Sequence, residues 1–315
     1  MAKSTICLAP RVIDATRPEC VLVTRSGDLF MSDARGGVFH LRPDGSSHLI
    51  TDPTRPKDFL PNGIALLRDG ALLIANLGQD GGIWRLEPTG ELSPWLMTVD
   101  GLSLPPSNFV GLDHFGRIWV TVSTLLSPRV ATLRHGGKED GIIVVIDDRG
   151  ARIAAEGFAF TNEAKVDPSG KWLYVVETAG RRLTRLALSE DGRLSSRETI
   201  ASFGHGTFPD GLAFDANGDV WVTSVVSNRL LRVSRATRTT HVEYEDADPD
   251  LIDVVEEKFS AGLYPDPPGM YGISSLAFGG SDLRTVYVGY CKGNQIASYR
   301  SAVAGVPPPH WEFSA

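Results

Sequence analysis

The chain has 315 residues, 42% hydrophobic, 22% charged and 8% aromatic, a composition with ample length for a buried core that excludes disordered, collagenous and fibrous classes. Thirty-one Lys and Arg stand against 38 Asp and Glu, a formal net charge of -7, and no basic block is longer than Arg181-Arg182, which argues against a nucleic-acid partner or an anionic membrane surface. The longest apolar run, Ile142-Ile143-Val144-Val145-Ile146, is far short of the roughly 20 residues of a membrane span, and the start MAKSTICLAP lacks the apolar stretch of a secretion signal, so the expected address is the cytoplasm.

Along the chain one pattern recurs. A small or polar head opens a short apolar strand, a turn with Asp or Gly follows, and a second apolar strand runs into Ser, Thr or Ala. The heads are Glu19, Asn62, Asn108, Asn162, Asp210 and Ser274, spaced by 43, 46, 54, 48 and 64 residues, near the period of a propeller blade. The second strands read Leu29-Phe30-Met31-Ser32, Leu72-Leu73-Ile74-Ala75, Ile118-Trp119-Val120-Thr121, Trp172 to Val176, Val220-Trp221-Val222-Thr223 and Thr285-Val286-Tyr287-Val288. A third strand follows each pair: Gly37 to Leu41, Gly82 to Leu86, Gly141 to Ile146, Arg182 to Leu188, Leu230 to Val233 and Gln295 to Tyr299. Short alternating runs closed by Asp-Gly, Ser-Gly and Asn-Gly are hairpin signals. Six repeats predict an all-β, six-bladed β-propeller, read as one domain over residues 1–315 because a blade cannot bury both of its faces alone.

Two stretches break the period: STLLSPRVATLRHGGK in the third blade and residues 243–271 before the sixth. In the second, Leu251, Ile252, Val254, Val255 and Phe259 have the spacing of a one-sided helix, read as ornament in preference to a lid. Cys7, Cys20 and Cys291 are too few and too far apart for zinc or redox spacing and are read as reduced, mostly buried side chains.

In a propeller the first strand of every blade lines the central channel, so the heads converge on one axis. Glu19, Asn62, Asn108, Asn162 and Asp210 offer two carboxylates and three amide oxygens, with no Cys or His among them. Such an all-oxygen set suits a hard divalent cation, calcium first, with manganese, zinc or magnesium behind it. Each Asn-Gly or Asp-Gly taken singly is also an ordinary turn former. Strict alternation predicts that Glu163 points away from the channel if Asn162 points into it.

The succession Glu19, Asn108, Asn162, the block Pro209-Asp210-Gly211-Leu212-Ala213-Phe214-Asp215 and the late Leu276-Ala277-Phe278-Gly279-Gly280 resemble the gluconolactonase/regucalcin (senescence marker protein, luciferin-regenerating enzyme) superfamily, from about Arg17 to Tyr299. That resemblance implies a divalent cation, usually calcium, in a central pocket, with Glu19, Asn108, Asn162 and Asp210 as its residues and Asn62 as the second-blade Asn-Gly. It implies hydrolysis of a cyclic ester, with Asp210 as the base or nucleophile, and His205 is an alternative group for activating water. The polar handles of sugar lactonases are absent around Pro105-Pro106-Ser107-Asn108-Phe109, while Phe109, Phe208, Tyr271 and Leu125-Leu126 could give an apolar wall. The substrate is therefore expected to be a lactone or ester less polar than gluconolactone, bound by Asn108, Asn62, Phe109, His205 and Tyr271. Strictosidine-synthase-like propellers are similar too, through Tyr174 to Arg182, and a non-catalytic binding propeller is the alternative from another class.

Overall fold

The alternation that marks the sequence as strands also decides how the strands stack. In the segment Leu72–Asn76, Leu72 and Ile74 pack towards one neighbouring sheet while Leu73 and Ala75 pack towards the other. Every residue there is buried, because in a ring of sheets both faces of each sheet are interior. The computed structural model describes residues 6–133, 137–261, 263 and 272–313.

Six four-stranded antiparallel sheets form the blades of a β-propeller. Their innermost strands, in chain order, are Val21–Val23, Pro61–Leu66, Phe109–Leu112, Thr161–Val166, Thr207–Phe214 and Ile273–Gly279. Apolar clusters fill the gaps between neighbours: Phe30 and Val38 of blade 1 meet Ile64 and Ile74 of blade 2, and Ile142 and Val144 of blade 3 meet Leu73 and Ala75 of blade 2. The ring closes through Ala9–Val12, which pairs with Gln295–Arg300 as the outer strand of blade 6, Ala9 opposite Ser298 and Val12 opposite Gln295.

The turns repeat as the strands do. Gly27, Gly70, Gly116, Gly170 and Gly218 close equivalent hairpins at φ of 93°, 85°, 80°, 71° and 80°, a region that glycine enters without steric cost. In blades 3 and 5 an aspartate before the turn accepts the indole hydrogen of the tryptophan six residues later, Asp113 from Trp119 at 2.9 Å and Asp215 from Trp221 at 3.0 Å.

Both insertions lie at the end of the ring where the inner strands begin. A helix spans Pro249–Ser260, capped by Asp248, which accepts from Asp250 N and Leu251 N, with proline in its first turn. It buries Ile252, Val255 and Phe259 against Phe160, Phe208 and Val226, and Leu133 of the blade-3 insertion joins the same cluster. Val254, counted with the apolar face in the sequence, is 43% exposed. The insertion begins later than residue 243, because Thr240–Glu245 is the outer strand of blade 5 and Arg232 holds Glu243 at 2.7 Å. Among the described residues no helix is long and apolar enough to cross a membrane.

Candidate functional site

The inner strands do not begin as regular strands. In blades 2, 4, 5 and 6 the register slips by one residue at the head: Pro61 faces Asn76 but Ile64 faces Ile74, Thr161 faces Glu177 but Ala164 faces Val175, and Pro209 faces Ser224 but Leu212 faces Val222. The extra residue is a β-bulge, which breaks alternation and turns side chains off the sheet. Glycine follows the head in blades 2 and 5 because the next blade leaves no room: a Cβ on Gly63 would stand 2.6 Å from Phe109 Cα, and one on Gly211 would stand 2.6 Å from Ser274 O.

The bulged heads converge on the channel. Asn162 donates to Asp210 Oδ1 across the boundary between blades 4 and 5, and to Thr178 Oγ1 at 3.1 Å. Thr178 in turn donates to Pro209 O at 2.8 Å, which fixes the peptide that carries Asp210. Glu19 is fixed from blade 6: its carbonyl accepts from the Ser274 and Ser275 hydroxyls, each at 2.7 Å. Ser274, the head without an acid or amide, thus anchors the backbone of the glutamate beside it.

Glu19 and Asp210 are each only 7% exposed, and a carboxylate oxygen of each lies with Cys291 Sγ in a group whose members are all within 4.8 Å of one another. Burial pushes the Glu19 carboxyl up to about 7, opposed chiefly by the Arg17 guanidinium and reinforced by Glu163. Burial first, and then the charges of Glu19 and Glu163, likewise push Asp210 far above the ordinary carboxylate range. Two carboxylates so close in a water-poor site cannot both ionise cheaply unless a cation stands between them. The donor set fits a divalent ion: two carboxylates from blades 1 and 5, with the Asn162 amide beside them.

The SMP-30/Gluconolactonase/LRE-like region, as a family model, matches residues 17–245. The chain belongs to that family. A 6-deoxy-6-sulfogluconolactonase of Pseudomonas putida is 29% identical over 285 residues, covering 89% of this chain and 84% of that protein. A luciferin-regenerating enzyme superposes with TM-score 0.69 at 16% identity, covering 96% of this chain and 98% of its own. The calcium-binding protein regucalcin from Agrobacterium tumefaciens does so with TM-score 0.65 at 17% identity, covering 98% of both.

Within this SMP-30-like propeller the other expected residues separate into two groups. Asn62 and Asn108 lie with the channel set: Asn62 Nδ2 donates to Asn108 O at 2.8 Å and Oδ1 at 3.2 Å, and Asn108 donates to Ser123 Oγ at 3.0 Å. Asn62 Oδ1 is taken by Arg17, which donates to it at 2.7 Å and to Pro61 O at 3.1 Å. His205, by contrast, is 62% exposed and engages the insertion helix, hydrogen bonding Asp253 at 2.9 Å and lying 3.4 Å from Glu256. Phe208 is buried against Phe259 of that helix, ring centroids 4.7 Å apart. Phe109 lies beyond Asn108, lining a cavity of about 120 Å³ at the far end of the channel that Pro307 to His310 cover. Tyr271 lies outside the described residues.

Glu163 does not point away from the channel. Its carboxylate accepts Leu212 N of the next inner strand at 3.0 Å, pairs with Lys165 at 2.7 Å and lines the far cavity. The extra residue between Thr161 and Ala164 is the reason: across a bulge two consecutive side chains can face the same side. Arg17 and Cys291 belong to the site without having been read as part of it. Arg17 stands at φ 53°, its N–H bonded to Gly293 O at 2.8 Å, two residues before the first head.

Proposed function

We propose that this chain is a divalent-metal-dependent hydrolase that opens a lactone or related ester where Glu19, Asn162 and Asp210 meet. One observation carries the reading: Glu19 and Asp210, from opposite parts of the chain, are buried together with carboxylate oxygens within 4.8 Å. Isolated burial of two acids is costly to folding, and an arrangement of that cost is what a cation site requires before its ion arrives. Glu19, Asn162 and Asp210 would hold the ion directly, with Asn108 beside them; their oxygens taken alone suit calcium. When bound, a dication there supplies Lewis-acid polarisation of an ester carbonyl and charge stabilisation for the oxyanion.

The chain's own groups supply the rest. Asp210 Oδ1 accepts from the Asn162 amide, and Oδ2, which faces the Cys291 thiol at 3.9 Å, is the atom that accepts a proton from the attacking water. The water oxygen bonds to the carbonyl carbon, the ring C–O bond breaks, and the proton passes to the departing alkoxide. Arg17, held in place by Asn62 and Pro61, orients a polar group of the substrate. The relatives named for lactonase activity, the P. putida sulfogluconolactonase and the gluconolactonase from Xanthomonas campestris, support the reaction class.

The preference for a less polar lactone has lost two of its supports, since Phe109 and Phe208 are packed elsewhere. Among the described residues, Leu125 and Leu126, 40% and 41% exposed, are the apolar groups left in its favour. Arg17 and Arg129, whose charges both reach Glu19, favour an acidic or hydroxylated lactone instead. Hydrolysis of a panel of sugar, acidic-sugar, aliphatic and aromatic lactones and aryl esters, by metal-stripped protein with single divalent ions restored, tests both points. Turnover that returns with metal supports the hydrolase, and its best substrate decides the polarity. Silence across the panel with every ion overturns it.

A further inference from the structure

Gly289, in the strand Thr285–Tyr290, and Cys291, just past its end, both face the same side, as their approach to Glu19 shows. That side is blade 1 at Glu19. A Cβ on Gly289 would lie 2.4 Å from Glu19 O, and the intervening Tyr290 N donates to Pro18 O at 2.9 Å. The backbone bond from Cys291 N to Gly272 O, 2.9 Å, holds the cysteine at this point after the strand has ended. Its Sγ comes to 3.9 Å from Asp210 Oδ2 and completes the group with Glu19.

We propose that Cys291 is a ligand of the divalent ion, making this a mixed oxygen and sulfur centre that prefers zinc-like ions to calcium. The inference rests on the metal-dependent reading above and changes the identity of its ion. Calcium takes six to eight oxygens and gains little from a thiolate, whereas zinc and cobalt accept carboxylate oxygen and cysteine sulfur together in a four-coordinate set. Glu19, Asp210 and Cys291 make three donors from blades 1, 5 and 6, with the Asn162 amide of blade 4 beside them, so the fourth position stays open to substrate. On binding, the Cys291 S–H bond breaks, its proton leaves to solvent, and the sulfur electron pair forms the bond to the ion, so each ion bound releases one proton from this residue.

The test loads the metal-stripped full chain with Co²⁺, whose visible bands report binding and whose near-ultraviolet charge-transfer band reports a thiolate ligand. The proposal expects both in the unaltered protein. Cys291→Ser and Cys291→Ala should keep the visible bands, lose the near-ultraviolet band, and weaken Zn²⁺ binding at least tenfold in a chelator competition while changing Ca²⁺ binding less than threefold. Visible bands without the near-ultraviolet band in the unaltered protein overturn the thiolate ligand and leave the hydrolase reading standing. Failure to bind Co²⁺, Zn²⁺ or Ca²⁺ at all, matched by Glu19→Gln, overturns both.

Discussion

The carbonyl oxygen of Glu19 occupies the place a side chain on Gly289 would need, 2.4 Å from a Cβ built there. The absence of a side chain in blade 6 is therefore what lets the first candidate ligand approach Cys291 and Asp210. Gly289→Ala is expected to displace the Glu19 peptide, lowering stability by about 1–3 kcal/mol. It should also shrink the rise in melting temperature expected on adding a divalent ion. Gly279→Ala, crowded by the side chain of Val23 at 2.7 Å, is the comparison: it should destabilise while leaving the metal-induced shift intact. Equal metal shifts in both variants would show that Glu19 is not placed through Gly289.

Asp210→Asn separates function from folding. Replacing a buried acid whose proton affinity is raised by burial and by Glu19 removes the cost of burying or protonating it, so the metal-free variant should be more stable than the parent by about 1–3 kcal/mol at neutral pH. Turnover should fall by about 10²–10⁴-fold. Calorimetric scans of the stripped proteins beside lactone assays measure the two together, and retained activity would remove Asp210 from the reaction.

Arg17→Ala should raise KM by about 10–100-fold for acidic or hydroxylated lactones, the range of a hydrogen bond to a charged group, with a smaller change in kcat. Arg17→Lys should recover part of the loss, since it keeps the charge but not the fork. A KM unchanged across the panel in Arg17→Ala would assign the residue to holding Asn62 alone.

His310 gives a pH dependence at the far end of the channel. Burial holds its imidazole down at about 4, against about 6.5 for a free histidine, with Lys165 adding to the effect. A depressed histidine is neutral when folded and charges more readily when unfolded, so its contribution is complete above the unfolded value and is lost as pH falls through 6.5 towards 4. Between pH 7 and pH 5 the loss from this residue should be about 2 kcal/mol. His310→Gln should flatten that part of the stability profile; a profile unchanged by the substitution would mean that acid sensitivity in this range arises elsewhere.

The ring itself was legible because its inner three strands are apolar and its heads recur in phase. The fourth strands were not. Ser47–Thr51 and Leu92–Leu96 face solvent on their outer edge, and Ala9–Val12 is exposed throughout, so no apolar pattern marks them. The same limit misplaced the second insertion, whose first residues complete such a strand. At the site, Asn62, Asn108, Asn162 and Asp210 were legible as heads of repeats. Arg17 and Cys291 sit outside the repeated positions and are brought in by a left-handed residue and a side-chain-free neighbour, neither of which periodicity reports. Glu163 was misread for a related reason: alternation presumes one residue per pleat, and the bulge at its position adds one.

Blade 6 is the only described blade made from both ends of the described chain, its outer strand from residues 9–12 and the other three from beyond residue 272. The strand Ala9–Val12 emerges from the ribosome early and must wait, unpaired, until Gln295–Arg300 has been made. Glu19 and Asp210 wait with it, because the serines and the glycine that place Glu19 belong to the same late blade. Synthesis order thus keeps the two acids apart in nascent chains, and the proposed centre can assemble only in molecules that have completed the circle.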